Sequence, residues 1–129
     1  MNIGEAAKRS GVAAKTIRYY EEIGLLPPAT RAENGYRSYT TEAVETLRFI
    51  SQARRLGFSV AECRDLLMLY QDRNRASADV KALTLSHIAE IDKRLAELHE
   101  IRATLVDLSE QCRGDSRPDC PILKGLAQS

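Results

Sequence analysis

Cys112 and Cys120 bound the segment CRGDSRPDC, with seven residues between them drawn from Arg, Gly, Asp, Ser and Pro. Two thiols so placed admit three chemistries: a disulfide, a thiolate metal site or a redox-catalytic pair. A catalytic pair calls for Cys-x-x-Cys at a helix start in a βαβ setting, and the chain has neither that spacing nor parallel strands. Tetrahedral zinc takes four ligands and the loop supplies two; Asp115 or Asp119 could be recruited, so zinc is disfavoured without being excluded. Soft monovalent ions, Cu(I) and by the same reasoning Ag(I) and Au(I), accept thiolates at very low coordination number, and two cysteines suffice. Gly114 and Pro118 let the loop curl so that the sulfurs converge. Pro121 suits the first turn of a short closing helix, whose positive end favours the negative charge of a bis-thiolate site. Lys81 is a cation that can offset the same charge. A reversible Cys112–Cys120 disulfide, making the protein a thiol redox sensor, stays open on these residues.

The elements that must position this loop are those of a small helical protein. The chain has 129 residues, 43% apolar and 29% charged, with no Trp, which places it among folded, helix-rich polypeptides of one domain plus an appendage. No window approaches the ~18 apolar residues of a membrane span, and MNIGEAAKRSG lacks an apolar run. Three cysteines, an odd number, argue for reduced thiols, so a cytoplasmic location is expected. Net charge is only +1, but residues 1–75 carry twelve Lys/Arg against nine Asp/Glu and residues 76–129 seven against nine. The basic excess is N-terminal.

Ile3, Ala6 and Ala7 share a helical face, Ser10-Gly11 marks a turn, and apolar spacing resumes at Ile17. This predicts one short helix and a second over about Ala13 to Glu22, a helix-turn-helix. On the second helix Lys15, Arg18 and Tyr19 share an edge suited to phosphate and base contacts, while Ile17 and Tyr20 turn toward a core. Pro27 and Pro28 end that helix. Asn34-Gly35 is the strongest hairpin signal, predicting a two-stranded wing that presents Arg31, Tyr36, Arg37 and Tyr39 beside the second helix. A helix follows from Thr40-Thr41 to Gly57, with Val44, Leu47, Ile50, Ala53 and Leu56 on one face. Another begins after Ser59 as N-cap and buries Cys63. From Ser77 to Glu110 there is no Gly or Pro, and Leu83, Thr84, Ile88, Ile91, Leu95, Leu98, Ile101, Leu105 and Leu108 recur at steps of three and four. Such a stripe cannot be buried within one helix, so a homodimeric coiled coil is expected, parallel or antiparallel by residue pattern alone. His87 and His99 on this helix are read as exposed or interfacial residues rather than metal ligands.

With these residues in view, the chain resembles the MerR family of transcriptional regulators over nearly its whole length, and within it the copper-efflux branch. IGEAAKRSGVAAKTIRYYEEIGLLPPATRAENGYRSY is similar to the family's winged helix-turn-helix, QARRLGFSVAECRDLL to its next helix pair, and CRGDSRPDCPI to the metal loop of the copper branch. The resemblance implies DNA contacts for Lys15, Arg18, Tyr20, Tyr36, Arg37 and Tyr39, with Arg54 in a second wing. For Tyr20 this departs from the helical-face reading, which turns it inward. It implies that Cys112 and Cys120 ligate a monovalent ion, with Ser77 and Lys81 of the partner subunit nearby. Serine at 77 is similar to the monovalent-ion sensors, where related zinc, lead and mercury sensors carry an added cysteine. It further implies double-stranded promoter DNA and, through that promoter, RNA polymerase as partners.

The expectation is therefore a mainly α protein, not an enzyme. Residues 1–75 form a winged helix-turn-helix DNA-binding domain, residues 76–111 a dimerisation helix in an antiparallel coiled coil, and residues 112–129 a metal-binding loop with a short C-terminal helix. No phosphate-binding Gly loop, partnered nucleophile or Glu-rich metal pair points to catalysis.

Overall fold

Helices α1 (Ile3–Ser10), α3 (Thr41–Arg55) and α4 (Val60–Gln71) each start where a side chain satisfies the backbone. The structure, a computed structural model, describes residues 1–31 and 35–128. Helix α1 (Ile3–Ser10) is capped by Asn2, whose Oδ1 accepts from the Glu5 amide at 2.8 Å. It ends at Gly11, which takes φ +76 and returns its amide to the Ala7 carbonyl, the left-handed stop that a side chain would strain. Helix α2 (Ala14–Glu22) follows without a side-chain cap. Strands β1 (Thr30–Arg31) and β2 (Arg37–Ser38) pair antiparallel, Thr30 opposite Ser38 and Arg31 opposite Arg37. The connection across this pair is residues 32–36, longer than a two-residue turn; of the predicted Asn34-Gly35 turn, Asn34 lies outside the described residues and Gly35 has φ +81.

Helix α3 (Thr41–Arg55) is capped by Thr40, and α4 (Val60–Gln71) by a reciprocal Ser59–Glu62 capping box, each as the sequence predicts. Helix α5 runs Ser77–Gln111 and α6 runs Pro121–Ala127, with Pro121 opening it. No helix of the described residues is long and apolar enough to cross a membrane.

The chain divides into two compact units, Met1–Leu83 and Thr84–Ser129, so the division falls inside α5 rather than at residue 75. In the first unit, Ile17, Leu26, Leu47 and Ile50 are fully enclosed where α1, α2, α3 and α4 meet. Arg64 ties the turn after α2 to α4 by donating to the Ile23 carbonyl at 2.7 Å and the Gly24 carbonyl at 3.3 Å. Ala53, Phe58 and Cys63 form a smaller cluster at the α3–α4 corner. Two expectations need correction, those for Leu56 and Tyr39. Leu56 is 68% exposed because α3 ends one residue before it, which releases it from the helical face. His87, expected to be exposed or interfacial, is buried; it stands three residues after Thr84 and four before Ile91, on the apolar stripe itself. Tyr39 is buried as well, because its backbone exchanges hydrogen bonds with Met1 at 2.7 and 2.9 Å and its ring joins the core.

In the second unit α6 lies on the end of α5. A Cβ at Gly125 would come within 2.9 Å of a Leu108 methyl, so the bare backbone allows the close approach.

Burial pushes the Cys63 thiol above its ordinary 9.0, with Arg54 opposing and Glu62 reinforcing the shift. A raised folded-state value means stabilisation that is complete below the unfolded thiol's pKa and is lost as pH rises through the folded one. Chemical denaturation at fixed protein concentration should therefore give a stability that declines above about pH 9, and Cys63→Val should flatten that decline. At neutral pH Leu47→Ala should cost about 3 kcal/mol through the cavity it leaves.

Candidate nucleic-acid interface and thiol site

Two sites follow from this scaffold, one in each unit. In the first, α2, the N-terminal end of α1 and the wing enclose an open cleft of about 560 Å³ lined by Asn2, Ile3, Arg18, Arg31, Gly35, Tyr36 and Arg37. Three guanidinium groups line one concavity together with a tyrosine that is 73% exposed, a set of groups chemically suited to phosphate oxygens. The uncapped N-terminus of α2 leaves amide groups free for an anion, and exposed Lys15 stands in that first turn.

Of the residues predicted to meet DNA, the structure brings Arg18, Tyr36 and Arg37 together in the cleft and leaves Lys15 exposed one turn away on α2. Tyr20 is 7% exposed and packs in the core, as its helical face demands, so its ring is not a docking surface. Tyr39 is corrected in the same way. Arg54 lies outside this cleft and donates to the Phe58 carbonyl at 2.8 Å, closing the corner between α3 and α4. Arg37 is not free either: its guanidinium donates to Glu21 Oε2 at 2.8 Å, and the Glu21 side chain is only 8% exposed. Glu21, together with Asn2 in the cleft wall, went unassigned in the sequence. Residues 21 and 37 are far apart in the chain, and no local spacing could have joined them.

In the second unit, Cys112 follows α5 and Cys120 is the N-cap residue of α6. Gly114 with φ +66 and the Asx turn in which the Arg117 amide donates to Asp115 Oδ1 at 2.9 Å reverse the chain between them. Both thiols are free and partly buried. The Cys120 thiol is held below its ordinary value of 9.0, chiefly by the Leu123 amide; burial opposes the shift, and the Ile122 amide and then the Cys112 thiol add to it. Cys120 makes no formal side-chain cap, and the influence of these first-turn amides is that of a helix N-terminus on a nearby anion. Beside Cys120 an open cleft of about 170 Å³ is lined by Gln111, Arg113, Asp115, Arg117, Asp119, Pro121 and Lys124. Lys124, four residues after Cys120, adds a cation that the sequence reading left unassigned, although its spacing was a usable signal. Among the described residues no group of three or more His, Cys, Asp and Glu side chains is placed to hold a metal ion. Ser77 and Lys81, both exposed, stand in the first turns of α5, and Cys112 follows its last residue.

A helix-turn-helix and a two-stranded wing framing an arginine-rich cleft define a DNA-binding protein of the winged helix-turn-helix class. The sequence matches the family description "MerR HTH family regulatory protein" over residues 1–69 and "MerR, DNA binding" over residues 44–108. It is 55% identical over 127 residues to heavy metal-dependent transcription regulator 2 of Rhizobium meliloti, covering 98% of this chain and 86% of that protein. It is 48% identical to the HTH-type transcriptional regulator CueR of Yersinia pestis, covering 98% and 91%. Among solved structures it is similar to the regulator PbrR691 of Ralstonia metallidurans in complex with lead(II), with TM-score 0.85, 33% identity and 98% of each chain covered. The protein belongs to the MerR family of DNA-binding transcription regulators and is not an enzyme.

Removing a phosphate contact lowers affinity on every sequence and lowers the salt dependence by about 0.9 per phosphate. Fluorescence anisotropy across a salt series should show that effect for Arg18→Ala and for Lys15→Ala, and no change of slope for Arg54→Ala. In reduced, metal-free protein, iodoacetamide should modify Cys120 at a pH below the ordinary thiol range, while Cys63 reacts only on unfolding; equal rates for the two would contradict the assignment.

Proposed function

We propose that this protein is a metal-responsive activator that senses Cu(I), with Ag(I) or Au(I) as surrogates, through Cys112 and Cys120, and that it turns on copper-export or copper-tolerance genes. The observation that carries the reading is the pair of neighbouring free thiols with no third donor among the described residues. Two thiolates suit a soft monovalent ion and under-coordinate zinc or lead. The neighbouring Lys124, Arg113 and Arg117 offset the negative charge that two thiolates leave around a monovalent cation. The names of the relatives, a heavy metal-dependent regulator and CueR, support a metal signal.

The working form is a homodimer. Leu85, Ile88, Ile91, Leu95, Leu98, Ile101 and Leu105 of α5 are 40–60% exposed in the single chain. Covering each recovers about 1 kcal/mol, so seven from each copy are ample to drive association. Antiparallel pairing is the arrangement that sets the start of one α5 against the end of the other, and so brings Ser77 and Lys81 of the partner subunit to the thiols. A two-fold dimer reads a two-fold promoter element. Metal binding then favours the conformer that bends and untwists the promoter for RNA polymerase. Bending a site of this size costs about 1–6 kcal/mol, and a ~10³-fold preference of the ion for one conformer supplies about 4 kcal/mol.

In transcription reconstituted with RNA polymerase, Cys112→Ser and Cys120→Ser should each abolish activation by Cu(I) while operator affinity stays within about twofold. Loss of both activation and operator binding would count against a dedicated sensing loop. Ser77→Cys should raise affinity for Zn(II) at least tenfold, because it adds the missing thiolate; unchanged Zn(II) affinity would place Ser77 away from the metal.

A further inference from the structure

Paired with Arg37 of the arginine cleft is a polar group with more capacity than it uses. Glu21 is 8% exposed; its Oε2 accepts from Arg37 at 2.8 Å, and its Oε1 is buried without a hydrogen-bond partner among the described residues. The Tyr39 hydroxyl is buried and without a partner in the same sense. The two are neighbours: burial chiefly, and next the Glu21 carboxylate, push the Tyr39 hydroxyl above its ordinary 10.0, with Arg37 acting in opposition. A buried donor and a buried acceptor left unpaired side by side are costly, and folded proteins keep few of them. Arg37 meanwhile forms part of the cleft wall with Arg18 and Arg31, yet its charge is neutralised by Glu21 as long as the pair is closed. An arginine so held cannot offer its full charge to a phosphate.

We propose that Glu21 and Tyr39 are positioning residues for DNA binding: Glu21 holds Arg37 in the free protein, and the Tyr39 hydroxyl takes Arg37's place on Glu21 when Arg37 turns to a phosphate. The hand-off conserves hydrogen bonds. Arg37 exchanges a carboxylate for a phosphate oxygen, and the carboxylate stays satisfied because an idle hydroxyl beside it becomes a donor. It gives a buried tyrosine a part in DNA binding that needs no contact with DNA. It also keeps the wing arginine sequestered until a phosphate is present. The inference rests on the reading of this cleft as a phosphate site.

The test uses the full-length protein and a duplex that the unaltered protein has selected from a random pool, with affinity and salt dependence measured by fluorescence anisotropy. Tyr39→Phe should leave the melting temperature unchanged or raised, weaken binding roughly 3–10-fold, and lower the salt slope by about 0.9, one phosphate contact. Arg37→Ala should do the same to binding, and Tyr39→Phe should have no further effect in the Arg37→Ala protein, because Tyr39 acts through Arg37. Glu21→Gln, which loosens the hold on Arg37, should bind at least as tightly as the unaltered protein and should abolish the effect of Tyr39→Phe. Unchanged affinity and slope in Tyr39→Phe, additive losses with Arg37→Ala, or a tenfold loss in Glu21→Gln would each overturn the hand-off. If Arg18→Ala and Arg31→Ala bind as the unaltered protein does, the cleft is not a phosphate site and the proposal falls with that reading. If they weaken binding and Tyr39→Phe does not, the hand-off alone falls.

Discussion

A 35-residue helix that cannot bury its own apolar face is the constraint from which the rest of this protein follows. Helix α5 has no Gly or Pro to break it, and its Leu and Ile stripe stays in contact with water in the isolated chain. In water such a face is a standing drive toward a second copy. Pairing two such helices places the chain ends, the DNA-reading units and the thiol loops under one symmetry. On the proposed reading, sensing needs that pairing, because Cys112 and Cys120 supply two donors and the charge and hydroxyl at the start of α5 come from the partner.

The two units use the same physics at different strengths. In the first, cations are gathered in a cleft and one of them is paired with a buried carboxylate; on the proposed reading, affinity is set by how many guanidinium groups are free to meet phosphate. In the second unit, the backbone amides of Leu123 and Ile122 favour the Cys120 thiolate, and Lys124, Arg113 and Arg117 line the cleft beside it. Both sites treat a concentrated charge as something to be neutralised by pre-placed partners, which keeps reorganisation small when the ligand arrives.

Much of this was legible in the amino-acid order, and the reasons are local. Gly11, Ser59 with Glu62, Thr40 and Pro121 each mark a helix end by chemistry contained within a few residues, and each stands where that chemistry says. Helical spacing also placed Ile17, Tyr20 and Cys63 inside, and for Tyr20 it agreed with the fold better than the resemblance did. What escaped was non-local. The burial of Tyr39 depends on its pairing with Met1, the tether on Arg37 depends on Glu21 sixteen residues earlier, and Leu56 left its stripe because α3 stops at Arg55. In the thiol loop, the convergence of the two cysteines was expected from Gly114 and Pro118, whereas Lys124 went unassigned although its spacing of four residues from Cys120 was legible.

The central claim is that two sulfurs are the whole protein donor set for a monovalent ion. The most direct measurement is an anaerobic titration of the reduced protein with Cu(I) against a competing chelator, with Zn(II) run in parallel. The account predicts one tightly held Cu(I) per subunit and Zn(II) binding weaker by orders of magnitude. Zn(II) bound as tightly as Cu(I), or Cu(I) lost to the chelator at stoichiometric ratio, would contradict it.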